Sequence, residues 1–265
     1  MAPSAHRLIH LGPLPVSNSM ITSWVVAVVL IVLVRWALGL RPKLRPSRAQ
    51  VVVETLVQGV YDLTAPIVGK RAAMPTFPLL VGLFTFILMQ NWSGLFPGVG
   101  TVKIWDLAAG RWEDFVRPGN ADLNLPFALA IVSMLAWLYF IFRYAGLRTI
   151  VQDLFGNKAV KGDVNVALYV LLYFLFFFVG LTEIVSISFR PISLAFRLFG
   201  NMFGGENLMH SISELAPWAR WGLPIPFMFL EMLIGFIQAL VFTLLVSVYI
   251  GLICNHGDEH EAPSH

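Results

Sequence analysis

Residues 183–206 read EIVSISFRPISLAFRLFGNMFGGE and sit inside an apolar run that begins near residue 164. Two arginines and two glutamates at such a place need a reason, because charged side chains are almost never buried in an apolar core unless paired. In a membrane helix they face a partner or a water-filled cavity. The rest of the chain selects the membrane. Of 265 residues, 57% are hydrophobic and 12% charged, with 21 Phe and 8 Trp, against roughly 25% charged in an ordinary soluble domain. A soluble globule could not hide that much apolar surface, so the fold expected is an all-α polytopic membrane protein forming one domain.

Apolar stretches near the roughly 20 residues needed to span a bilayer fall at 20–40, 76–96, 125–142, 164–208 and 223–254. That predicts five crossing helices. The first is retained rather than cleaved, since its apolar part exceeds a signal-peptide core. Residues 48–70 place Glu54, Gln58 and Asp62 at near-helical spacing among Val and Leu, which predicts an interfacial amphipathic helix. Pro66 and the turn AAMPTFP at 72–78 are expected to break it before the second span. A helix over 164–208 would be about 60 Å long, about twice the hydrocarbon thickness. It must tilt or bend, with Pro191 as the bending point, and it forms a hairpin with the last helix.

Orientation follows from Lys and Arg in the loops. Arg35, Arg41, Lys43, Arg45, Arg48, Lys70 and Arg71 flank the first cytoplasmic connection, and Arg143, Arg148, Lys158 and Lys161 the second, 143–163. Arg7, Lys103, Arg111, Arg117 and Arg220 on the other side are diluted by acids, including Asp106, Glu113, Asp114, Asp122 and Glu214. The expectation is a bacterial inner-membrane protein with residues 1–19 and the loop 97–124 outside, and the tail 255–265 in the cytoplasm. The net charge of +3 does not point to nucleic acid, because the basic residues form no stripe with stacking aromatics. Cys254 is the sole cysteine, and the tail histidines are loosely spaced. No disulfide, metal site or cofactor follows.

With Arg197 at zero on a helical wheel, Glu183, Ser186, Arg190, Ser193, Asn201 and Gly204 lie within roughly 40° of it, at about 100° per residue. Glu206 falls on the opposite face. On the last helix Glu231, Gln238 and Tyr249 share a face, with Gly235 between the first two. Each ionisable group at membrane depth costs at least ~2.5 kcal/mol, so a stripe of them marks an ion route by default. The alternative is structural pairing that holds two helices together, most plausible for Arg190, which could snorkel to the interface. Gly200 and Gly204 form a small-xxx-small pattern admitting another helix, and beside it stands an arginine that keeps its proton.

RPISLAFRLFGNMFGGE (190–206), followed by EMLIGFIQALVFTLLVSVYI (231–250), resembles subunit a of the F-type ATP synthase, the stator channel beside the rotating c-ring. The resemblance implies a non-catalytic, ion-translocating subunit with two offset half-channels. Its partners would be the c-ring proteolipids, b-type peripheral stalk subunits, the lipid bilayer and translocated protons, with Na+ a possible alternative. Arg197 matches the essential arginine facing each c-ring carboxylate. Asn201, Glu206 and Gln238 match polar residues of the outer half-channel, and Glu231 occupies another position on that route. Glu183 matches an acid on the cytoplasmic exit side, and Asn91, in MQNWSGLFPG (89–98), would line the outer entrance. Tyr249 joins the pathway face; Arg190 and Ser193 match the motif, and Gly200 and Gly204 the packing surface.

This chain departs from that family in two places. The positions of Glu206 and Glu231 often hold one Glu and one His, whereas both are Glu here; facing one cavity, two carboxylates would resist double ionisation and share a proton. The acid often found just past Asn91 is replaced by Gly94. Other readings fit less well. A secondary transporter predicts a counterpart of the stripe in the first half, and there is none. An intramembrane hydrolase predicts H-E-x-x-H or G-x-S-x-G, both missing from the sequence. A passive scaffold leaves the stripe unexplained.

Overall fold

The computed structural model describes residues 7–11, 14–39, 46–96, 103–106, 111–114, 118–144, 166–215, 222 and 224–254. Arg41, Lys43, Arg45, Arg117, Arg148, Lys158, Lys161, Arg220 and the tail 255–265 lie outside the described residues. Two strands, β1 (Arg7–Leu11) and β2 (Leu14–Ser17), precede helix α1 (Asn18–Leu38). Helices α2 (Arg48–Val68) and α3 (Lys70–Ser93) follow, then β3 (Lys103–Asp106) and β4 (Arg111–Asp114), a 3-10 turn at Gly119–Ala121, α4 (Asn124–Tyr144), α5 (Val166–Leu215) and α6 (Pro224–Cys254). The membrane part is all-α, and six described helices are long and apolar enough to cross a bilayer. The chain is a multi-pass membrane protein.

The two hairpins were not foreseen. Each is a single antiparallel pair, with Leu11 opposite Leu14 in one and Trp105 opposite Trp112 in the other. Both lie in segments joined to the same end of the helical bundle, where α1 begins and α3 ends. Strands of four or five residues carry too little alternation to stand out beside helices of twenty.

Helix ends follow local chemistry. Ser17 and Ser47 cap α1 and α2 by accepting the backbone N–H of Met20 and Gln50. Gly39 and Gly69 close the same helices at φ of +65° and +88°, values a side chain rarely tolerates. Gly69 also corrects the expected break. The chain turns there, and AAMPTFP is helical within α3. Buried Thr76 donates to the carbonyls of Ala72 and Ala73, one turn back on the same helix. Helix α5 runs unbroken through Pro191 for 50 residues, about 75 Å at ~1.5 Å per residue, so it cannot cross the bilayer upright.

The core is built on α3 and α6. Leu80, Leu83, Phe84 and Ile87 of α3 pack with Ala239, Phe242, Val246 and Ile250 of α6, while α4 adds Trp137, Phe140 and Ile141 and α5 adds Leu194, Ala195 and Leu198. Only one side of α5 is enclosed. Residues 181–186 are exposed throughout, and contact with the bundle becomes continuous only around Leu194. Buried Thr243 and Ser247 satisfy their hydroxyls on carbonyls of their own helix, so α6 brings them into the core at little polar cost.

Candidate functional site

The wheel stripe is uncovered. Glu183, Ser186, Ser193, Arg197, Gly200, Asn201 and Gly204 are all exposed on α5, and Arg190 is half-buried. A Cβ added at Gly200 or Gly204 would meet nothing within 4 Å. The notch is open, and Arg197 stands one turn from it with no hydrogen bond or ion pair among the described residues. An arginine at membrane depth costs at least ~2.5 kcal/mol unless a partner, water or the interface receives its charge.

A second cluster lies where α5 meets α6. The Asn201 amide donates to Gln238 Oε1 at 2.9 Å, joining the two helices. Gln238 is buried, and its own Nε2 has no partner. Glu206 and Glu231, both half-buried, are close enough for their charges to interact. The carboxylate of Glu231 lies against Gly205, in the space a Cβ there would fill. Glu206 and Glu231 are thus brought together, on a face other than the Arg197 stripe.

Asn91 extends this cluster through α3. Its Nδ2 donates to the Gly235 carbonyl on α6 at 2.9 Å, and its Oδ1 accepts from Asn120 Nδ2 at 2.7 Å. Because a carbonyl can only accept, both amides are locked in one orientation, leaving Asn120 Oδ1 without a partner. Gln90, fully buried beside Asn91, also has an unpartnered Oε1, directed toward Gly119. Buried Asp122 accepts from Ser19 of α1 and from Asn124, which seats the 3-10 turn against the bundle. Asn120 and Gln90 escaped the sequence reading because neither lies on a periodic polar face; the adjacent amides in MQNW (89–92) were the only signal for Gln90, and Asn120 had none of that kind.

At the other end of the stripe Arg190 pairs with Glu183 at 2.7 Å, and its guanidinium carbon lies 4.6 Å from the centre of the Tyr249 ring. Trp137 Nε1 donates to the Tyr249 carbonyl at 2.8 Å. Tyr249 therefore meets Arg190 rather than Glu231 or Gln238, with which it shares a helix. Gly94 lies against Pro118 and Met202 and offers no group that could transfer a proton.

These observations define a class: a polytopic membrane protein whose longest helix presents an uncovered basic stripe and separates it from a paired-carboxylate cluster. Residues 20–251 match the family model described as ATP synthase A chain. The chain belongs to that family. It is 30% identical to ATP synthase subunit a of Moorella thermoacetica over 244 residues, 92% of this chain and 94% of the relative. ATP synthase subunit a of Gloeobacter violaceus is 31% identical over 262 residues, 96% of this chain and 91% of the relative. ATP synthase subunit a 2 of Bradyrhizobium sp. is 30% identical over 246 residues, 92% of each chain.

Proposed function

We propose that this chain is the non-catalytic proton-conducting stator of a rotary ATP synthase, with two offset half-channels that deliver and remove protons at a rotor carboxylate. The observation that carries the reading is the open notch at Gly200 and Gly204 beside exposed Arg197, which has no ion pair among the described residues, facing away from Glu206 and Glu231. A rotor helix gliding over the notch brings its carboxylate to a fixed positive charge.

A proton enters from outside through the Asn91, Glu231, Glu206, Asn201 and Gln238 cluster and neutralises that carboxylate, which then turns through lipid. On return it meets Arg197. The guanidinium favours the ionised carboxylate, so the proton leaves toward Glu183. The same charge repels a proton taking the direct path between half-channels, which preserves the roughly 2.3 kcal/mol per 100 mV that each charge carries. The amides of this cluster do not bind protons themselves; they order water between the carboxylates.

In this reading the N-terminus is outside the bacterial inner membrane and the C-terminus in the cytoplasm. The helix α2 lies along the cytoplasmic surface, the c-ring covers the α5 stripe, b-type stalk subunits pack elsewhere, and the translocated ion is H+, with Na+ the alternative. The test is Arg197→Ala in the reconstituted complex, which should abolish proton-driven ATP synthesis while ATP hydrolysis by the catalytic sector continues. Coupled synthesis at the wild-type rate would refute the assignment.

A further inference from the structure

Glu183 and Arg190 are seven residues apart on α5, two helical turns and about 10 Å along the axis. To close that distance the arginine must lie flat along the helix. Tyr249 of α6 is what holds it there: its ring sits beneath the guanidinium, and its backbone is tied to α4 through Trp137. A cavity of about 20 Å³ adjoins them, walled by Ser133, Trp137, Pro191 and Val246. Ser133 already donates to Leu129 at 2.6 Å, so Glu183 is the charge partner this setting gives Arg190. The Arg190 side chain is 16% exposed and that of Glu183 47%: the anchor is enclosed, and the carboxylate it holds reaches the surface.

We propose that Arg190 is a positioning residue, held by Tyr249, that fixes the Glu183 carboxylate at the exit end of the α5 stripe. This rests on the reading above that the departing proton passes Glu183. A free glutamate side chain would spread over several rotamers, whereas the clamp keeps one oxygen of Glu183 on the guanidinium and leaves the other for the proton. Lysine cannot replace the arginine fully, because it lacks the planar group that lies on a ring and grips a carboxylate together.

The test uses the complete complex in vesicles, with proton flux followed by a pH-sensitive dye after the catalytic sector is stripped. Arg190→Gln and Tyr249→Leu should each lower flux roughly five- to thirtyfold, the range set by a cation and ring contact from partly to fully desolvated. Tyr249→Phe keeps the ring face and should recover most of what Tyr249→Leu loses. The deciding measurement is the double variant Arg190→Gln with Glu183→Gln, expected to conduct no worse than Glu183→Gln alone, since Arg190 acts through Glu183. Multiplying losses, or wild-type flux in Arg190→Gln, would overturn the proposal. If Arg190→Gln fails to assemble, the Tyr249 pair decides, and equal flux in Leu and Phe variants would sink the clamp. Arg197→Ala runs alongside in unstripped vesicles: if it still supports coupled synthesis the channel reading falls, whereas if coupled synthesis is lost there and the clamp variants conduct normally only this inference falls.

Discussion

At position 205 a side chain would displace the Glu231 carboxylate rather than any backbone, because the atoms in its way are the end of a flexible glutamate. Gly205→Ala should therefore slow proton uptake severalfold while leaving the unfolding midpoint of the complex within about 1 °C, as expected when ΔΔG is a few tenths of a kcal/mol. Flux measurements and thermal scans on one preparation check both halves. Glu231→His should support coupled synthesis, because the second titratable group need not be a carboxylate; loss of synthesis in a folded, assembled variant would contradict this. Arg197, Glu183 and Asn201 were legible from sequence because charge and amide at membrane depth recur with helical period. Gly205 was not, since a glycine shows its purpose only when the neighbouring helix is in place.

Among the elements, the joints are set by backbone positions that no side chain can relieve. Gly69 separates α2 from α3 at φ +88° and ψ 155°, a region almost confined to glycine, so Gly69→Ala should cost about 1–3 kcal/mol. Gly251 lies against the Ile67 carbonyl of α2. There the obstacle is backbone, so Gly251→Ala should lower stability in detergent more than Gly205→Ala does, as read by denaturant midpoints. Asn91→Leu removes the bonds to Gly235 and Asn120, leaving buried groups unpaired at about 1–3 kcal/mol each, and should impair assembly as well as proton entry. The prolines of AAMPTFP suggested a turn, yet the segment is helical, with Ala72, Ala73, Thr76 and Leu80 buried against the bundle. Glycine at 69 was the stronger breaker because its conformation, rather than a missing donor, sets the corner. The short hairpins stayed invisible for want of periodicity.

Across the whole molecule, one helix borders two environments. Its outer side carries Arg197 over an open notch, Glu206 on another face meets Glu231 of α6, and Asn201 at the edge of the stripe reaches Gln238. The apolar runs and the wheel made the membrane class and the opposition of Arg197 and Glu206 readable from the sequence, but not the reach of Asn201 to α6. The chain through Asn120 and Asn91 to α6, and the clamp from Trp137 through Tyr249 to Arg190, depend on which helices neighbour each other, and periodicity carries no such information. The most direct test is cross-linking from the notch in native membranes, after Cys254 is replaced. A cysteine at Gly204 should join a cysteine near the carboxylate of a small two-helix proteolipid in high yield, while one at Leu135, exposed on α4, should not. Equal yields at 135 and 204, or none at 204 in an assembled complex, would contradict the claim that this stripe faces a rotor.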